Sequence, residues 1–215
     1  MVVIAIDGPG GVGKSTVARR VAAALRLPYL DTGATYRAAT LAVLRAGASI
    51  DDEAAVIAVV YQAAIGFDDT TVWLDGDDVS AAVRTPEVTA TVSMVSAYHG
   101  VRGRVVAMQR AWVAEHGGKA VVEGRDIGSV VFPDADVKVF LTADPGVRAE
   151  RRSGDAEAAG KDIERVAADL AARDRADATR EASPLVAAAG AVVIDTSELT
   201  IDEVVARVLA LVPGR

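Results

Sequence analysis

The 215-residue sequence predicts an α/β protein: a five-stranded parallel sheet with helices on both faces, a small inserted antiparallel β subdomain and a mobile lid. Three observations predict it. Five short, mostly apolar runs, at 2–6, 27–31, 119–123, 136–141 and 191–195, are interleaved with stretches of helical period, as strands buried on both faces are. The first run ends in a glycine-rich turn that leads into a helix. Hydrophobic residues make up 51% of the chain, and its length suits one domain over 1–215 better than two large ones.

The elements follow in order. Val2-Val3-Ile4-Ala5-Ile6 is the first strand. The helix expected over 16–26 places Val17, Val21, Ala22 and Leu25 on one face, toward the sheet. Leu27–Asp31 is a second strand, and Asp31-Thr32-Gly33 signals a helix over about 34–46, stopped by Gly47. Asp51-Asp52-Glu53 opens a third helix to about Ala64. From Ile65 to Val79 the period becomes that of short antiparallel strands, with tight turns at Asp69-Thr70-Thr71 and Asp75-Gly76-Asp77. Helices are expected over 85–97 and 101–115, the second closed by Gly117-Gly118. After the strands at 119–123 and 136–141, a helix runs from Pro145 to Arg152, and the pattern breaks from Ser153 to Gly160. A helix over 162–177, the strand at 191–195 and an amphipathic helix over 201–211 complete the chain.

A net charge of −7 argues against bulk binding to nucleic acid or an anionic membrane, which runs on excess Lys and Arg. The absence of cysteine excludes disulfides, zinc thiolates and thiol nucleophiles. Asparagine is also absent, and with it any Asn-Lys-x-Asp guanine-reading motif. No basic segment with an apolar core precedes the first strand, and no apolar run reaches the roughly 18 residues of a membrane span. A cytoplasmic protein is expected. No long exposed apolar stripe demands a partner, so the expected state is a monomer.

The chemistry starts at Gly8-Pro9-Gly10-Gly11-Val12-Gly13-Lys14-Ser15-Thr16. Glycines let the backbone curl with its N–H groups inward, and the following helix start favours negative charge. In such P-loops the lysine, here Lys14, reaches the β and γ phosphates of a nucleotide, and the next hydroxyl, Ser15, ligates Mg²⁺. ATP with Mg²⁺ is therefore the expected donor.

Other charged residues sit where an open α/β sheet binds ligands, at the carboxyl ends of its strands. Thr32, Tyr36 and Arg37 follow the second strand, where Arg37 either holds a phosphate bidentately or is a solvated helix arginine. Gly124-Arg125-Asp126 follows another, and its opposite charges either serve the site or form a turn-stabilising ion pair. Arg148, Arg151 and Arg152 fall within five residues, with Arg148 and Arg152 on one helical face. Asp144, Glu150, Asp155 and Glu157 would neutralise that cluster; otherwise it forms a lid, at about 148–161, that closes over phosphates. Arg173, Asp177 and Arg180 are either a helix-surface ion-pair ladder or part of the same site. Glu123 ends a strand as either a water-mediated Mg²⁺ acid or an ordinary strand-end acid. His99 and His116 are expected at the surface, and Trp73 and Trp112 in packing.

Taken together the segments resemble the bacterial cytidylate kinases, P-loop kinases that move the γ-phosphoryl of ATP to CMP or dCMP. The matching stretches are Ile6-Asp7-Gly8-Pro9 with the P-loop, Leu30 to Arg37, Leu74 to Arg84, Val101-Arg102 with Gln109-Arg110-Ala111, Glu123 to Gly128, Val131 to Ala135, the lid arginines, Arg173-Asp174 and Ser183-Pro184-Leu185. The resemblance implies that Ser93, Arg102 and Asp126 read the cytosine edge. Arg173 and Asp177 would hold the sugar, and Arg37, Arg125 and Arg180 the acceptor phosphate. It also implies that an insert at about 65–96 binds the monophosphate and that Lys14, Arg148, Arg151 and Arg152 serve the transfer. Thr32 stands where the family often has serine. Another small P-loop kinase, for a different nucleoside monophosphate or a metabolite such as shikimate, is the nearest alternative. A nucleotide-dependent switch is the alternative from another class.

Overall fold

β1 (Val2–Asp7) is the middle strand of the main sheet, and its apolar run explains why. Val3, Ile4, Ala5 and Ile6 are all buried, so the strand has to be covered on both faces. The structure, a computed structural model, describes residues 2–155, 158, 160–180 and 183–213. Five parallel strands run in the order β2 (Tyr29–Asp31), β6 (Lys119–Glu123), β1, β7 (Val137–Thr142) and β8 (Val192–Asp195). Register pairs Ile6 with Glu123 on one side and with Val139 on the other. The chain leaves β1 for one side of the sheet and later returns to the other, and the loops at the carboxyl ends open a crevice there.

Two cores cover the sheet. On one face α1 (Lys14–Leu25) and α8 (Ile201–Ala210) pack Val17, Val21, Val204 and Val208 against Ile4, Ile6 and Leu141. On the other, Trp112 and Val113 of α5 (His99–Glu115) pack on Val3, Ala5 and Val122. α2 (Thr32–Arg45), α3 (Glu53–Gln62) and α4 (Pro86–Val95) join α5 in a third apolar cluster. The insert is a three-stranded antiparallel sheet, β3 (Ile65–Phe67), β4 (Val72–Leu74) and β5 (Asp77–Asp78), seated on α2 through Val72 and Leu74. Its β3–β4 turn is tied to the main sheet, where Asp69 Oδ1 accepts the Tyr29 N–H at 3.0 Å.

The expected elements are present, with boundaries moved by capping. α1 starts at Lys14 instead of residue 16, directly after Gly13, which takes the left-handed conformation (φ 88°) that glycine allows. α2 starts at Thr32, with Asp31 Oδ1 accepting the Ala34 N–H. α6 (Pro145–Ser153) and α7 (Ile163–Thr179) follow β7. Two short turns were not expected: a 3-10 turn at Ala82–Arg84 and a π-helical turn at Ile127–Val131. Trp112 is buried as expected, and both His99 and His116 are exposed. Among the described residues no helix is long and apolar enough to cross a membrane.

Candidate active site

The site is a cleft of about 600 Å³ at the carboxyl edge of the sheet, with the P-loop on one wall and arginines opposite. Loop shape follows from close packing. A Cβ at Gly8 would collide with the Leu141 carbonyl, and one at Gly11 (φ 79°) would come within 2.7 Å of the Arg148 carbonyl oxygen. Three successive loop carbonyls each accept from a cation: Gly8 O from Arg125 Nη1 (2.5 Å), Pro9 O from Lys14 Nζ (2.7 Å) and Gly10 O from Arg148 Nε (2.7 Å). Outward carbonyls are thus satisfied by side chains, and the helix start at Lys14, Ser15 and Thr16 opens into the cleft.

Lys14 is half-buried. Burial and the neighbouring Arg125 push its pKa well below the usual lysine range, against the pull of Glu123. Burial and then Asp31 push Glu123 up to about 7, while Lys14 and hydrogen bonds from Tyr29 and Ser15 pull it back. The Tyr29 hydroxyl donates to Glu123 Oε1.

Opposite the loop the arginines crowd one another. Arg37 is buried, with Nη1 donating to Val83 O (3.1 Å) and Thr89 Oγ1 (2.8 Å). Burial and then Arg152, with Arg84 and Arg125 beyond it, lower its pKa to about 10. Arg173 falls to about 9 through burial, then Arg125 and Arg37. Arg152 and Arg180 are lowered too, first by burial. The Nε of Arg173 and Nη2 of Arg180 are buried donors with no hydrogen-bond partner among the described residues. A bound dianion would relieve that repulsion and fill the empty donors together.

A second polar cluster adjoins the arginines. Arg102 is buried, pairs with Asp126, donates to Ser183 Oγ (3.2 Å) and Ser96 O (3.3 Å), and lies 5.2 Å from the centre of the Tyr36 ring. Ser93 and Thr32 line the same cleft. Thr32 Oγ1 donates to Glu123 O. Asp177 accepts from Arg125 Nε at 2.9 Å and stands 3.6 Å from Arg180. Arg125 and Asp126 therefore pair with different partners and not with each other.

Of the three expected lid arginines, Arg151 and Arg152 line the cleft and Arg148 does not. Arg148 is absent from the cleft lining, held by Gly10 O and Asp174. Its i,i+4 spacing to Arg152 was a correct helical face, yet Arg148 stands nearer the P-loop backbone and turns to it. Arg151 donates to Thr196 Oγ1 (3.0 Å) and O (2.8 Å), and Arg152 pairs with Asp155 at 3.0 Å. Of the expected lid, residues 156, 157 and 159 lie outside the described residues, Glu157 among them. Arg84, given no role from sequence, lines the cleft and stands 3.4 Å from Asp31. Its signal was its place at the end of the inserted β unit, opposite the second strand.

Fold and site together define a P-loop kinase, with the glycine-rich loop facing a set of arginines across one cleft. The comparison with TT1252 from Thermus thermophilus supports the fold alone, at a TM-score of 0.51 and 20% identity over 99% of this chain and 98% of that one. The family model described as Cytidylate kinase matches residues 4–214. The chain is 50% identical to the cytidylate kinase of Mycobacterium leprae (strain Br4923), covering 100% of this chain and 96% of that one. It is 52% identical to that of Nocardia farcinica (strain IFM 10152), covering 94% and 90%. The chain belongs to the cytidylate kinase family.

Proposed function

We infer that the protein transfers the γ-phosphoryl group of ATP to CMP or dCMP, giving ADP and CDP or dCDP. The observation that carries this reading is the set of crowded arginines facing Lys14 across one cleft, two of them with buried donors that have no partner among the described residues. Such a transfer needs two phosphate groups held in line and the charge on the moving group offset. The P-loop backbone and Lys14 hold the donor. Arg37, Arg125 and Arg180 hold the acceptor phosphate, with Arg84 and Arg152 adding positive field. Ser93, Arg102 and Asp126 read the cytosine edge, and Arg173 and Asp177 the sugar. No general base is needed, because the acceptor is already an anion.

The donors present fit Mg²⁺: a serine hydroxyl bonded to a buried carboxylate that also feels Asp31, all oxygen ligands. Ser15 would hold the ion directly and Glu123 through water. When bound, the ion neutralises charge on the β and γ oxygens. Cytosine selectivity has its own route. An acceptor carboxylate suits the cytosine amino group and meets a uracil carbonyl with repulsion.

The test is ADP release with CMP, dCMP, UMP, AMP and shikimate as acceptors. Turnover with CMP and dCMP well above UMP is expected. Equal rates with UMP would remove the role given to Asp126, and turnover with AMP or shikimate alone would overturn the function.

A further inference from the structure

Asp7 ends β1, just before the P-loop, and none of the roles above uses it. It is 3% exposed. Its two carboxylate oxygens each accept one backbone N–H from the π-helical turn after β6: Oδ1 from Ile127 and Oδ2 from Gly128, both at 2.8 Å. Two more bonds join the same segments, from Gly124 N–H to Ile6 O (3.0 Å) and from Arg125 Nη1 to Gly8 O (2.5 Å). Residues 6–8 and 124–128 are thus stitched at four points. Arg125 and Asp126 lie inside that stitching.

The chemistry of the contact is specific. A carboxylate offers an acceptor to each N–H, whereas an amide side chain would set its NH₂ against one of them. Burial, and then Asp126, push the Asp7 pKa up to about 6 against the pull of the two N–H groups and Lys14. A buried acid kept in this position burdens the fold, and what it holds is the backbone under Arg125 and Asp126. The P-loop has supports of its own in the close contacts of Gly8 with Leu141 and of Gly11 with Arg148.

We propose that Asp7 is a positioning residue for the acceptor nucleotide: by holding Ile127 and Gly128 it sets where Arg125 and Asp126 stand, and so sets the affinity and base preference for CMP. This rests on the CMP reading above. Asp7 belongs to the donor strand by sequence and serves the acceptor site by contact.

The test compares Asp7→Asn and Asp7→Ala with the wild type in steady-state assays varying CMP, UMP and ATP, with calorimetric CMP binding and melting curves. Asp7→Asn is expected to raise the KM for CMP about tenfold, the size of one hydrogen bond to a charged group, and to leave the KM for ATP within about twofold. The CMP-to-UMP preference narrows in the same variant. Asp7→Ala exceeds it in both respects; if it does not fold, the nearly isosteric Asn variant decides. An equal rise in both KM values would overturn the proposal by placing Asp7 with the donor loop. An unchanged KM for CMP, or a lower melting temperature without separation of the two KM values, would overturn it as well. Wild-type protein without CMP turnover would overturn the function itself. Wild-type turnover with an unaltered Asn variant would overturn only the role of Asp7.

Discussion

The two walls of the cleft are built on opposite principles. The donor wall is backbone: glycines packed too tightly for a side chain, with carbonyls 8, 9 and 10 satisfied by Arg125, Lys14 and Arg148. The acceptor wall is side chain: arginines whose pKa values burial and then one another lower, two with unpartnered buried donors. A backbone site stands finished before its ligand arrives, whereas a side-chain site of like charges stays unfavourable until an anion fills it. The difference teaches where stability and function conflict in this molecule, namely on the acceptor wall.

The largest effect should come from the one lysine of the donor wall. Lys14→Ala is expected to lower kcat by about 10³-fold while the protein stays folded, read by steady-state kinetics and circular dichroism. Retained turnover would break the contrast, because the backbone alone would then suffice for the donor. Next comes the second polar cluster. Asp126→Ala should lower kcat/KM for CMP by about 10²-fold and close the gap to UMP, since it removes a charged acceptor and leaves Arg102 buried without its partner.

A smaller effect sharpens the comparison from the stability side. Arg173→Leu should reduce CMP turnover about tenfold and yet raise the ligand-free melting temperature by about 2–4 °C, because a crowded cation leaves the acceptor wall. A lower melting temperature would show that the arginines support the fold. The smallest expected effect is a pH slope. Glu123 is raised from 4.5 to about 7, so between those values the folded carboxyl keeps a proton that the unfolded one loses. Its stabilising contribution is present below pH 4.5 and lost as pH rises through about 7. Relative to Glu123→Gln, the ligand-free wild type should melt progressively lower from pH 4.5 to 7 and hold a constant offset above that. Parallel melting curves for the two proteins would count against it.

Legibility in the sequence divided along the same line. The donor wall is local: strand, glycines, lysine and helix are contiguous, and Gly8 to Ser15 spelled it out. The inner strands were legible from their apolar runs, although β8 is an edge strand that leaves Val192 and Val193 exposed instead of buried on both faces. The order β2-β6-β1-β7-β8 was not legible, because pairings such as Ile6 with Glu123 join residues far apart in the chain. The π-helical turn at Ile127–Val131 was missed for the same reason. Nothing in Ile127-Gly128-Ser129-Val130-Val131 has a helical period, and the acceptors that hold its first N–H groups come from Asp7. On the acceptor wall the arginines were found together with their near partners, Asp155 for Arg152 and Asp177 for Arg180, but the distant ones, such as Asp177 for Arg125, were not. Spacing put Arg148 and Arg152 on one face, and only the packing of α6 against the loop turned Arg148 toward Gly10 O.

The contact between Lys14 Nζ and Pro9 O has one further consequence. One of the three N–H donors of the ammonium is engaged by its own loop, which fixes the direction of the side chain, and two remain for the phosphate oxygens that Lys14 is proposed to hold. The lysine is thus aimed before it acts, so less side-chain freedom is left to lose when a phosphate is bound.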